Sequence, residues 1–372
     1  MRLFDHTTTL TILGAVLGLC HMAGAQSNHA TADQLLAEGH YLRAEHPVRA
    51  AVARNPNDAH ALIDLSILEW SFNHLDAAIG AAEKAVSAAP NSAEAHAHLA
   101  DALGSKLIVS TGGTMEKISL AHRFRKEIDR TLELDPNNID SLEDLAQFYW
   151  HAPGLVGGDR NKARQTADKL FQLSPFRGSR ARADFALDDS DPNRRAKAVV
   201  GIWQTAVAAR PNEYDCRAAL ASAYLEQATD PNHLANAEAE AKRAKTLDAT
   251  RIDAYKTLAV VYAKAGRWDE LDTVLKQAKA NVPDDRAPEY VAAMAILSDD
   301  NEAQLQRAEL LLRDYLGQTA EAQGPTHASA HWRLGQVLER QGRKADAVRE
   351  FQTAVSQDGS LDGAKKDLKR LS

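Results

Sequence analysis

The chain has 372 residues, 44% of them hydrophobic, and a formal net charge of −7. Its 44 Lys and Arg and 51 Asp and Glu are mixed along the chain, so no basic surface for nucleic acid is expected. It holds only two cysteines, which excludes a disulfide framework and leaves packed elements to supply the stability.

The first segment reads as a secretory signal. Arg2 gives a positive end, Leu10 to Leu19 is an apolar run, and Ala23-Gly24-Ala25 is a small-residue cleavage site before Gln26. The run is shorter than the ~20 residues that a bilayer span needs. Leu19 is too bulky for a lipidation box at Cys20. Residues 1–25 are therefore expected to be removed, leaving one cysteine, Cys216, no membrane span in the mature chain, and a periplasmic or secreted protein.

Beyond the signal, a phrase recurs. Helical runs are separated by Asn55-Pro56-Asn57-Asp58, Ala89-Pro90-Asn91-Ser92, Asp135-Pro136-Asn137-Asn138 and Arg210-Pro211-Asn212-Glu213. Proline ends a helix because it lacks an N–H and clashes with the preceding turn. Asn, Asp or Ser after it can cap the next helix by accepting an orphan N–H. Asp33 to Pro56 reads as an incomplete first unit with its turn at Gly39-His40-Tyr41. Ala59 to Ser92 is a full unit, with Leu62, Leu65-Ser66, Ala78, Ala82 and Ala85 on helical spacing. The units from Pro90 to Pro136 and from Pro136 to Pro175 carry extra residues. Pro175 to Pro211 has a poor first helix around Arg180 to Leu187. Tyr214 to Ala249 and Ile252 to Asp285 fit well, and Arg286 to Tyr315 is a diverged pair. Ala328 to Leu361 is the clearest unit, with Leu334-Gly335, Leu338, Gly342, Ala347, Phe351 and Ala354. A last helix, Leu361–Leu371, brings Lys365, Lys366, Lys369 and Arg370 as a polar cap.

Pro56 and Pro90 are 34 residues apart, and with the large–small–large pattern this makes the chain resemble the tetratricopeptide-repeat family. The resemblance implies an all-α fold, a right-handed superhelix of about eight helical pairs over residues 26–372 with a C-terminal capping helix. It also implies a scaffold rather than an enzyme. No cofactor is expected. His96 and His98, two apart on a helix, cannot chelate one ion together, and no His-Glu-x-x-His or Gly-x-Ser-x-Gly pattern occurs. No metal site or catalytic residue is therefore expected.

The stretch Ala152-Pro153-Gly154-Leu155-Val156-Gly157-Gly158-Asp159 resembles inserts of exported bacterial tetratricopeptide-repeat proteins. Pro153 should end a helix, Gly157 and Gly158 should allow tight turns, and Asp159 should cap the next helix. The insert reads either as an ordered connection or as the lip of a ligand site. In the family, first helices line the concave face. Phasing places His60, Ile63, Trp70, Glu94, Ala97, Asp101, Asp140, Glu143, Gln147 and Trp150 there, with Trp70 and Trp150 at equivalent positions. Tryptophan and carboxylate on one strip suit a peptide with apolar and basic side chains. The expected function is an exported scaffold for a protein or peptide partner. The alternative is an accessory component of a periplasmic transport or envelope-assembly system that binds a small ligand or a substrate-binding protein.

Overall fold

The computed structural model describes residues 32–298, 302–322 and 324–371. The signal segment and its cleavage site lie outside them. The described residues form helices and connections, with no strand among them. In chain order the helices are α1 (32–37), α2 (Tyr41–Arg54), α3 (Ala59–Ser71), α4 (Leu75–Ala88), α5 (Ala93–Val109), α6 (Thr114–Leu134), α7 (Ile139–His151), α8 (Arg160–Leu173), α9 (Pro175–Ala186) and α10 (Pro192–Ala209). There follow α11 (Tyr214–Glu226), α12 (His233–Leu247), α13 (Asp253–Lys264), α14 (Trp268–Asn281), α15 (Ala287–Ser298), α16 (Leu305–Leu316), α17 (His327–Arg340), α18 (Lys344–Gln357) and α19 (Asp362–Leu371). Successive helices pack as hairpins, among them α3 with α4, α11 with α12 and α17 with α18, and α19 packs on α18. The segment with the poor pattern forms a complete helix, α9. Its Ser174 side chain accepts from Arg177 N and Pro175 sits in the first turn, so a good N-terminus offsets a weak apolar stripe.

The helices start where the cap chemistry dictates. Asp58 accepts from the backbone N–H of His60 and Ala61. Ser92 accepts from Ala95 N and Asn138 from Ser141 N, at 3.2 and 3.0 Å. Gly335 explains the close approach inside the last hairpin. A Cβ there would lie 2.5 Å from Phe351 Cε1, so the phenyl ring occupies the space that a larger residue would fill.

The chain divides into two compact units, Met1–Asp144 and Leu145–Ser372, with the boundary inside α7. In the N-terminal unit, Ala32 and Leu36 of α1 pack with Ala44, Val48 and Leu68, and Leu62 and Ile63 pack with Ala85 and Ala95. In the C-terminal unit a larger core joins Tyr255, Leu258, Leu271, Ile296, Leu334 and Phe351. Cys216 is buried in this unit, and burial pushes its thiol up to about 12, which leaves it protonated and unreactive at neutral pH.

Candidate functional site

The N-terminal unit gathers acidic and histidine side chains along its first helices. The fourth residues after Pro56, Pro90 and Pro136 are His60, Glu94 and Asp140, and the eighth are Asp64, His98 and Asp144. Because the three helices begin at equivalent capped turns, equal offsets present equivalent faces.

At the start of this strip, His60 Nε2 lies 3.1 Å from both carboxylate oxygens of Asp33 on α1. Asp64, one turn after His60, is 3% exposed. Burial, and then the Asp33 carboxylate, push Asp64 up to about 7 against the pull of His60. Burial opposes a charge on His60, but Asp64 and Asp33 outweigh it and hold its pKa above the usual histidine value. Further along, His98 Nδ1 is 3.4 Å from Asp101 Oδ2. Burial again opposes the imidazolium, and Asp101, Asp140 and Glu94 overcome it. Asp144 is held well above the ordinary carboxylate range by burial and by Asp101, to which it is hydrogen-bonded, with Glu143 and Asp140 adding to the effect. A carboxyl retains its proton when desolvation and like charge act together. The strip is therefore a graded set of carboxylates whose neighbours are histidines and other carboxylates.

The expected site residues fall in both units. Trp70, Glu94, Asp101, Asp140 and Glu143 are in the N-terminal unit, and Gln147, Trp150, Gly157, Gly158 and Asp159 are in the C-terminal unit. Glu94 is exposed and Asp101 and Asp140 are partly exposed, while Glu143 is only 2% exposed. Trp70 is partly buried, and its Nε1 donates to Ser105 Oγ on α5 at 2.9 Å. Trp150 differs. It is buried and stacked on Phe185 of α9 at a centroid separation of 4.3 Å, with Arg160 and Arg164 over its ring. The indole expected on an open face is thus part of the packing of the C-terminal unit, because α9 brings an aromatic ring against it. Phasing also named Ile63 and Ala97, which are buried. It missed Asp33, Asp64, His98 and Asp144. The offsets of four and eight after each proline were the signal that could have found the last three.

The insert after α7 is an ordered connection. Gly154–Val156 form a short 3-10 turn, Gly157 has φ of 103°, and Gly158 N donates to Pro153 O at 3.1 Å. Asp159 N donates to Tyr149 O at 2.8 Å, and its carboxylate caps α8 by accepting from Asn161 N and Lys162 N. A Cβ on Gly158 would fall 1.7 Å from Ala152 O.

Comparison with known proteins agrees with the architecture. The tetratricopeptide-repeat family profile matches residues 29–93 and 304–362. The described residues are thus all-α, and the two matched stretches, towards either end of the chain, are similar to tetratricopeptide repeats. Among solved structures, a thermophilic tetratricopeptide-repeat protein of Thermus thermophilus is 20% identical, covers 54% of this chain and 99% of its own, and has a TM-score of 0.45. Yeast Tom70 is 14% identical over 94% of this chain and 88% of its own, with a TM-score of 0.48. A tetratricopeptide-repeat protein of Parabacteroides merdae is 14% identical over 84% of this chain and 98% of its own, with a TM-score of 0.41. A search of curated proteins found no match. No described helix is long and apolar enough to cross a membrane.

Proposed function

We propose that the chain is an exported scaffold whose N-terminal unit binds a basic peptide or protein segment along its first helices. One observation carries the reading. Two successive first helices, α5 and α7, carry Glu94, Asp101, Asp140 and Asp144, and after burial the strongest influences on Asp144 are the other carboxylates. Lysine or arginine side chains of a partner would relieve that like-charge crowding, and complementary potential would speed their encounter. Stacked repeats provide extended surfaces suited to such ligands. The fold class favours a binding role over catalysis, and the strip lacks a nucleophile positioned beside a base.

The test is binding of length-matched basic, neutral and acidic peptides to the chain without its first 25 residues. Basic peptides should bind best, with an association rate that falls as salt rises. Glu94→Lys with Asp140→Lys should slow that association and flatten its salt dependence. Equal binding of the three peptides would overturn the reading. Export rests on Arg2, the apolar run and Ala23-Gly24-Ala25. N-terminal sequencing of the exported protein should begin at Gln26, and a lipid-modified Cys20 would refute the soluble assignment.

A further inference from the structure

The N-terminal end of the acidic strip differs from the rest in its donor set. Asp33, His60 and Asp64 each place one ligand atom within 4.8 Å of the other two. His60 and Asp64 are four residues apart on α3, so they project from one helical face and can address a single ion. Asp33 comes from α1. A second observation points to a ligand. Asp64 is 3% exposed and its Oδ2 accepts from no N–H or hydroxyl donor, while its side chain meets the Asp33 carboxylate. A buried carboxylate oxygen left unsatisfied is costly, and native structures usually supply such an atom with a partner.

We propose that Asp33, His60 and Asp64 bind a divalent transition-metal ion of the Zn2+ type. One imidazole and two carboxylates suit Zn2+ and its neighbours better than Ca2+ or Mg2+, which favour oxygen-only shells. The two carboxylates would balance the charge of the ion. Three protein ligands leave a coordination position for water or for another side chain. The consequence is mechanical. Helix α1 spans only 32–37 and packs through Ala32 and Leu36. An ion shared by Asp33 and the α3 pair would staple this short helix to the first full repeat. The sequence alone hides the site, because Asp33 belongs to a different unit of the repeat from His60 and Asp64. The inference is independent of the peptide reading.

The test is titration of the metal-stripped chain with Zn2+ alone, followed by calorimetry and by hydrogen exchange of residues 32–37. One equivalent should bind through this site, raise the melting temperature and slow exchange in α1. His60→Gln and Asp64→Asn should each weaken that equivalent by more than about tenfold, since even outer-shell changes reach that scale. Asp64→Asn conserves shape, and circular dichroism verifies its fold. His96→Gln, a histidine paired with Glu127 on another face, serves as the control and should leave the equivalent intact. Co2+ in place of Zn2+ should show the absorption of a low-coordinate site that both substitutions abolish. Absence of Zn2+ binding, binding unaffected by the two substitutions, or a preference for Mg2+ or Ca2+ would overturn the proposal.

Discussion

First helices of the two units handle acidic residues differently. In the C-terminal unit, Asp215 on α11 accepts from Arg251 at 2.6 Å, Asp253 on α13 from Lys256 at 2.7 Å, and Glu339 on α17 from Arg370 at 2.7 Å. In the N-terminal unit, Asp64, Asp101 and Asp144 on α3, α5 and α7 lie among histidines and other carboxylates. One repeat architecture thus carries two electrostatic arrangements. The paired arrangement satisfies the charges within the protein and fixes the stacking. The crowded arrangement raises the energy of the ionised strip, and in the proposed function an external cation would offset it. Perturbed titratable groups collected on one face are a marker of binding sites.

The two tryptophans sharpen this contrast most. Trp150 is enclosed by Phe185, Arg160 and Arg164, whereas Trp70 remains partly exposed with a single hydrogen bond to Ser105. Trp150→Ala should cost about 3–5 kcal/mol, as large aromatic truncations in cores do. Trp70→Ala should cost clearly less. Chemical denaturation of both variants is the measurement, and equal losses would erase the distinction. The insert comes next in size. Gly157→Val with Gly158→Val forces a side chain into a left-handed position and another against Ala152 O. A loss on the order of 1–3 kcal/mol is expected, confined by hydrogen exchange to α7 and α8. An unchanged melting curve would mean that the turn yields without strain.

Much of this was legible in the sequence. The Pro-Asn phrases located α3, α5, α7 and α11, and Gly342 and Gly39 marked turns that do have positive φ. Asp159 was readable as a cap because its chemistry is local. The candidate strip was only partly readable. The phasing chose Ile63, Ala97 and Glu143, while Asp64, His98 and Asp144, one residue later in each case, carry the shifted titrations. A single residue turns a helix by about 100°, so an error of one step moves a side chain from the face into the packing. Trp150 was misplaced for another reason. Its surroundings depend on Phe185 of α9, a helix whose apolar pattern is weak and whose contacts arise from tertiary packing.

Acidity should act on the two arrangements with opposite sign. The folded pKa of Asp144 lies above its unfolded value, so the native state holds the proton in the interval between them. Its contribution is full below the ordinary carboxylate pKa and is lost as pH rises through the folded value. Glu309 in the C-terminal unit is the reverse. Burial opposes its charge, but Arg313 and Arg343 outweigh burial and hold its pKa below the usual value. Its contribution is present above the unfolded pKa and is lost as pH falls through the folded one. Asp144→Asn should therefore gain stability on the wild type as pH rises above the ordinary carboxylate pKa. Glu309→Gln should lose stability at about pH 8 and lose less near pH 4. Glu289 shows that the rule follows environment rather than unit. It is 1% exposed, 3.5 Å from Lys279, and burial pushes it up to about 7 despite that neighbour. Urea unfolding of the three proteins across pH gives the comparison, and slopes of the same sign for Asp144→Asn and Glu309→Gln would break it.

The smallest effect separates pairing from mere proximity. Arg123 and Glu83 in the N-terminal unit approach to 2.5 Å, yet their side chains are 46% and 50% exposed. Arg217 and Glu240 in the C-terminal unit approach to the same 2.5 Å with only 13% and 11% exposure, and Arg217 also donates to Pro211 O. Distance is therefore held constant while solvent differs. Water and salt screen the exposed pair, and ordering two long side chains consumes most of what attraction remains, so a double-mutant cycle should give a coupling of about 0.2–1 kcal/mol. The enclosed pair keeps more of its attraction, and its guanidinium is already oriented by the carbonyl. Its coupling should be larger and should change less when salt is raised. Comparable couplings with the same salt dependence would show that enclosure is not what distinguishes the paired charges, and the contrast between the units would then rest on the carboxylate strip alone.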